Sequence, residues 1–225
     1  MNSDNHIEIQ KRTLIYIPII HDQADMGNLR ESVRQAALRK LGEKTWRRKV
    51  KLVDQIWTES EMIIDNLRLS FDKVRLYQDG LPVCGREIDI VTDLAKAGSR
   101  NHRLLLRLME KGATVMGTES AELLVEEYQL FRSILNARDL KKTPKIDECR
   151  KALSESLLER RDRYVADRIN TTLREGETGI LFLGLLHNLE KRFDKDIKLI
   201  FPMKWPVDKG GRRDEEKWQP NFDCR

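Results

Sequence analysis

Two stretches of this chain are apolar without alternation. Thr13–Ile20 reads Thr-Leu-Ile-Tyr-Ile-Pro-Ile-Ile, and Thr178–Leu186 reads Thr-Gly-Ile-Leu-Phe-Leu-Gly-Leu-Leu. A short continuous apolar run predicts a strand buried on both faces, as in a parallel sheet. Between and around them the pattern changes to a three-and-four spacing. Leu29, Val33, Ala36, Ala37, Val50, Val53, Ile56, Trp57, Met62 and Ile63 mark a long helical region from about Asn28 to Leu67. Gly42 breaks it into a hairpin. Val74–Tyr77 predicts a second strand, and Asp79-Gly80-Leu81-Pro82 a turn after it. Helices are predicted over Glu87–Ala97 and Arg100–Lys111, closed by Gly98 and Gly112, with Ser99 as N-cap of the second. Ala113–Met116 predicts a third strand, and Ser120 caps a helix over Ala121–Ala137. In that helix Leu123, Leu124, Tyr128, Leu130, Phe131, Ile134 and Leu135 are expected to form a buried face. Lys141–Pro144 reads as a linker, Ile146–Arg174 as a long helix, and Ile197–Phe201 as a last strand. Strands alternating with helices predict an α/β fold with a largely parallel sheet flanked by helices. One domain is expected over 1–202, with the helical insertion at about 28–70 placed as a cap over the sheet edge. Residues 203–225, with prolines, a Gly-Gly pair and mixed charge, are expected to be extended or disordered.

Both apolar strands run into a histidine, His21 and His187, and the chain has only 4. Open α/β sheets collect ligands at the carboxyl ends of their strands. Four such ends offer polar groups here: His21 with Asp22 and Asp25, Gln78 with Asp79, Thr118 with Glu119, and His187 with Asn188. Two imidazoles with carboxylates suit general acid–base work or a divalent metal held through nitrogen and oxygen. Arg161, on the helix leading to the last apolar strand, is in reach of the same rim and suits an oxyanion. Structural readings stand beside these. Asp79 before Gly80 is an ordinary turn residue, Glu119 complements a helix dipole, and His102 sits in a helix start.

Composition narrows the classes. The 42 basic residues exceed the 37 acidic ones by a net +5, spread along the chain, so a nucleic-acid partner is not favoured. The densest basic cluster, Arg47, Arg48 and Lys49, reads as a solvated helix face or an anion-binding surface. No run reaches the roughly 18 apolar residues of a membrane span, and the first residues lack a signal-peptide pattern. Three widely spaced cysteines, Cys84, Cys149 and Cys224, exclude a disulfide framework and fit a reducing cytoplasm. Gly-x-Gly-x-x-Gly, the P-loop, Gly-x-Ser-x-Gly and His-Glu-x-x-His are all missing, which sets aside dinucleotide, P-loop, serine-elbow and zinc-helix chemistries.

The segment Leu158–Ile169, with Arg160-Arg161-Asp162, followed by Gly179–His187 ending in Gly184-Leu185-Leu186-His187, resembles the carboxyl-terminal half of the TraB/PrgY-like proteins. These belong to a wider group with the erythromycin-esterase-like and ChaN-like proteins. The group's pattern is an Arg-Asp or Arg-Asn helix, a hydrophobic strand, then Gly-x-x-His. Its first strand also ends in histidine, which His21 matches in place. Pro18-Ile19-Ile20-His21 departs from Gly-x-x-His there, and Gln78 and Asp79 stand where a glutamate commonly follows the second strand. The resemblance implies two histidines facing each other across the rim, an arginine nearby and a hydrolase-type site. The expected catalytic set is His21, His187, Arg161 and Asp79, with a histidine as general base. The base acts with or without a divalent metal; zinc or manganese, if used, is expected on His21, His187 and Glu119. The substrate is expected to be a small molecule or a peptide. The alternative is a non-catalytic regulatory or anion-binding protein on the same fold. The assembly state is left open, a homodimer included.

Overall fold

The structure, a computed structural model, describes residues 12–20, 30–136 and 144–203. Five strands form one sheet: β1 (Arg12–Ile19), β2 (Val74–Gln78), β3 (Thr114–Met116), β4 (Thr178–Gly184) and β5 (Ile197–Ile200). Their order is β3-β2-β4-β1-β5, and every pairing is parallel. The two unbroken apolar runs, β1 and β4, are neighbours in the interior, paired from Thr13 with Thr178 to Ile19 with Gly184. That position explains their composition, since both of their faces are covered by other elements. Gly179 leaves room for its neighbours' side chains: a Cβ there would stand 2.6 Å from Leu14 Cδ1.

Among the described residues six α-helices accompany the sheet: α1 (Arg30–Leu41), α2 (Glu43–Asn66), α3 (Glu87–Lys96), α4 (Arg100–Glu110), α5 (Ala121–Asn136) and α6 (Pro144–Thr172). Gly42, with φ 75°, separates α1 from α2. The sheet's two faces carry separate cores. On one, Ile15, Ile17, Leu76, Ile180 and Phe182 meet Ile56, Trp57 and Ile64 of α2 and Leu104, Leu105 and Leu108 of α4. On the other, Tyr16, Tyr77, Leu181 and Leu183 meet Val165, Ala166, Ile169 and Leu173 of α6.

Several expectations are corrected. The α1–α2 insertion does not cap the sheet edge. The second half of α2 lies on a face, because its Ile56, Trp57 and Ile64 supply an apolar stripe to that core. The α5 face is only partly buried: Leu123 is enclosed, whereas Tyr128 and Phe131 are 41% and 37% exposed. The apolar positions of α5 wrap around more of the helix than α6 can cover. The basic cluster falls on α2, where Arg47 pairs with Glu43 at the surface. No helix among the described residues is long and apolar enough to cross a membrane. Of the expected linker at 141–144 and tail at 203–225, Pro144 instead opens α6 and Met203 is buried in the α2–α4 core; residues 141–143 and 204–225 lie outside the described residues.

Candidate functional site

The carboxyl ends of β2, β3 and β4 bring Asp79, Glu119 and His187 together, and α6 supplies Arg161 and Asp162. All five side chains are buried. Local structure fixes each one. Asp79 continues the β2–β4 ladder by one bond, its N–H donating to Phe182 O at 2.9 Å, before Gly80 turns the chain at φ 76°. Glu119 is held by a short bridge to Pro82: Val83 N–H donates to Glu119 O at 2.9 Å and Glu119 N–H to Leu81 O at 3.0 Å. Gly117 makes this bridge possible, since a Cβ there would lie 2.7 Å from Val83 Cα. His187 follows a turn closed by its own N–H on Gly184 O at 3.2 Å.

The contacts form one network. Arg161 donates from Nη2 to Asp79 Oδ1 at 2.7 Å and to Glu119 Oε1 at 2.6 Å. Its Nε reaches Glu119 Oε2 at 3.2 Å, and Nη1 reaches Glu127 Oε1 at 2.5 Å. Four of its five N–H groups are therefore held by carboxylates. The other oxygen of Asp79, Oδ2, accepts from Gly184 N–H at 2.9 Å and faces His187 Nε2 at 3.6 Å. His187 Nδ1 lies 2.5 Å from Asp162 Oδ1, while Asp162 Oδ2 accepts from Asn188 N–H at 3.0 Å. Asp162 thus locks the imidazole through one nitrogen and the loop behind it through its second oxygen.

Acidic groups outnumber basic ones here, and the titrations reflect it. Burial disfavours the imidazolium of His187, but Asp79 and Asp162 outweigh that and raise its pKa to about 10. Burial, with repulsion from Asp79 added, pushes Glu119 above the usual carboxylate value against the pull of Arg161. Charged groups this deep are costly, and shifted ones gather at functional sites.

The buried Asp79, Glu119 and His187 could hold a metal ion, each offering a ligand atom within 4.8 Å of the others. Two ligands sharing a tetrahedral ion stand roughly 3.3–3.6 Å apart, from metal–ligand lengths of about 2.0–2.2 Å. The 3.6 Å between Asp79 Oδ2 and His187 Nε2, too long for a hydrogen bond, suits such a pair. The Asp162–His187 contact supplies the outer carboxylate that metal-ligating histidines commonly have.

Of the residues expected from the sequence, Asp79, Glu119, Arg161 and His187 come together. His21, with Asp22 and Asp25, lies outside the described residues; Ile19, two residues before it, pairs with Gly184, at the same end of the sheet as the His187 turn. Gln78 is buried, but alternation along β2 turns it to the α2–α4 side. Thr118 supports the site without lining it: its Oγ1 accepts from Gln78 N–H at 2.9 Å. His102 is bound into the α4 cap, with Nδ1 2.7 Å from Ser99 Oγ. Cys84 is exposed, on the loop that Glu87 ties down. In the sequence Asp162 stands in the Arg-Asp motif without a site role, and Glu127 is not singled out at all. Asp162 had a signal, an acid directly beside the candidate arginine; Glu127, half-buried on the α5 side that meets Arg161 of α6, had none. Comparison with protein-family models, with curated proteins and with solved structures finds no match for this chain.

Proposed function

We propose that this protein is a metal-assisted hydrolase. Its divalent ion, zinc or manganese, is held by Asp79, Glu119 and His187 at the carboxyl rim of the sheet. The observation that carries this reading is the Asp162–His187–Asp79 line. One imidazole nitrogen is fixed by a carboxylate, and the other faces a second carboxylate across a ligand-to-ligand gap. The excess of buried acids supports it. A site that draws a proton onto His187 is a site that draws a cation, and the ion takes the proton's place. His187 is then a ligand rather than the general base expected from the sequence, because its free form holds its proton at neutral pH. An ion held by Asp79, Glu119 and His187 would supply an activated water and polarisation of a scissile carbonyl. Arg161 keeps Asp79 and Glu119 in place; with four N–H groups already engaged, its oxyanion role shrinks to one Nη1 hydrogen. The likeness of Leu158–His187 to the TraB/PrgY-like pattern agrees with this chemistry. An anion-binding role for the same rim is disfavoured, because Asp79, Glu119 and Glu127 surround Arg161.

The test is calorimetric titration of chelator-treated protein with Zn²⁺ and Mn²⁺, paired with a hydrolysis screen on a model ester and a peptide mixture. One ion per chain is expected, with turnover that needs it, and both are lost in a folded Glu119→Ala variant. Wild-type protein that binds neither ion ends the metal reading, and an ion-loaded protein that cleaves nothing ends the hydrolase reading.

A further inference from the structure

The chain's positive charge is concentrated in one place. Residues 30–51, which form α1 and the first turns of α2, hold 9 basic residues and 2 acidic ones, a net +7. Outside them 33 basic residues stand against 35 acidic ones, a net −2. The expectation of a charge spread along the chain, read from the total of +5, is therefore corrected. The fold displays this charge outward. At 24 residues α2 is about 36 Å long. Its buried residues Ile56, Trp57, Ser60 and Ile64 all lie in its second half, and before Ile56 no described side chain of α1 or α2 is buried. Lys44, Arg47, Arg48 and Lys51 follow the i, i+3, i+4, i+7 spacing that places side chains on one helix face. All four are exposed. With 3.6 residues per turn, their face is centred opposite the one that carries Ile56, Trp57, Ser60 and Ile64, so it points away from the sheet. The segment's two acids are engaged locally, Glu43 with Arg47 at 2.6 Å and Glu31 with Arg34 at 3.4 Å. Such exposed pairs are weak and yield to a competing anion. Among the described residues no carboxylate pairs with Lys44, Arg48 or Lys51.

We infer that this basic face of α2 binds the phosphate backbone of a nucleic-acid duplex, by charge and without reading base sequence. The four side chains span roughly 10 Å of a rigid helix. A ridge of closely spaced like charges fits a partner whose own charges are dense and regular, and duplex DNA carries one for about every 1.7 Å of its axis. Arginine also meets phosphate oxygens two at a time. Trp46, the aromatic residue of this half of the helix, lies by its spacing on the side of Trp57 and Ile64, so the charges have no stacking platform for single-stranded bases beside them. A bilayer fits less well, because the apolar stripe of α2 is engaged with the sheet and has no free face to enter lipid. The surface stands apart from the Asp79–His187 site. Its binding is measured with EDTA present, so it fails or holds independently of the metal reading.

The probe is a fluorescein-labelled DNA duplex of about 20 base pairs, titrated with the full-length protein and followed by anisotropy between about 50 and 200 mM salt. Saturable binding is expected, equal for two unrelated sequences, with log K falling against log salt at a slope of about −3 to −4 for four phosphate contacts. Lys44→Gln, Arg48→Gln and Lys51→Gln together should weaken binding at least about tenfold and bring the slope to about −1. A control variant removes the same charge at exposed positions elsewhere, through Lys96→Gln, Arg103→Gln and Lys198→Gln. It should change binding by less than about twofold, because charges beyond a Debye length are screened. Circular dichroism checks both folds; should the first variant not fold, the wild-type slope decides. Any of four results overturns the inference: no binding by the wild type, a wild-type slope flatter than about −2, equal weakening by the two variants, or capture by phosphatidylserine vesicles with the duplex left free.

Discussion

His187 Nδ1 and Asp162 Oδ1 stand 2.5 Å apart, although 25 residues and the whole of β4 separate them in the chain. Asp162 is thereby the residue that sets which imidazole nitrogen faces Asp79. Replacing it by asparagine keeps an acceptor for Asn188 N–H but removes the charge behind the ring. Asp162→Asn is expected to fold, and to bind Zn²⁺ about 10–100-fold more weakly, the usual cost of losing an outer carboxylate. Calorimetric titration beside the wild type measures it; an unchanged affinity removes Asp162 from the site.

Arg161 forms the salt bridge to Glu119, through Nη2 on Oε1 at 2.6 Å. Arg161→Met leaves Asp79 and Glu119 buried with only the protonated His187 as a positive neighbour among the described residues. Removing one member of such a buried group costs about 3–5 kcal/mol. Urea unfolding at neutral pH should show that loss, and adding Zn²⁺ should recover part of it by supplying positive charge to the same carboxylates. A variant as stable as the wild type contradicts the charge balance described for this network.

Away from the site, Arg75 on β2 pairs with Glu177 just before β4, with Nη2 2.7 Å from Oε1. The bond from Arg75 holds the Glu177 carboxyl below its usual 4.5, against a smaller opposing effect of burial. A depressed carboxyl stabilises the fold above its unfolded pKa, and that contribution is lost as pH falls through the lower folded value. The stability difference between wild type and Glu177→Gln should therefore be constant above about pH 5 and close as acid is added below pH 4.5. Denaturant melts across this range check it; a gap that persists at pH 2 to 3, or widens on acidification, refutes the linkage.

The parallel α/β class was legible because β1 is apolar from Leu14 to Ile19 and β4 from Gly179 to Gly184, a pattern that an interior strand of a two-faced sheet needs. Helix boundaries were legible where punctuation was strong, as at Gly42, Ser99 and Gly112. The exposure of Tyr128 and Phe131 was not legible. Their spacing suits a buried stripe, and whether a neighbour reaches them depends on where α6 lies. Gln78 shows the same limit in miniature, since adjacent positions at a strand end point to opposite layers and only the sheet register says which layer holds the acids.

The order of residues alone determined the strand-and-helix alternation, the histidine after β4 and the arginine–aspartate pair on the helix before it, because periodicity and turn chemistry act over a few residues. The tertiary structure decided that Asp79, Glu119, Arg161 and His187 meet and that Asp162 orients the ring. Those outcomes depend on which strands become neighbours, and the order β3-β2-β4-β1-β5 is a property of how both faces of the sheet are covered at once, which no single segment encodes.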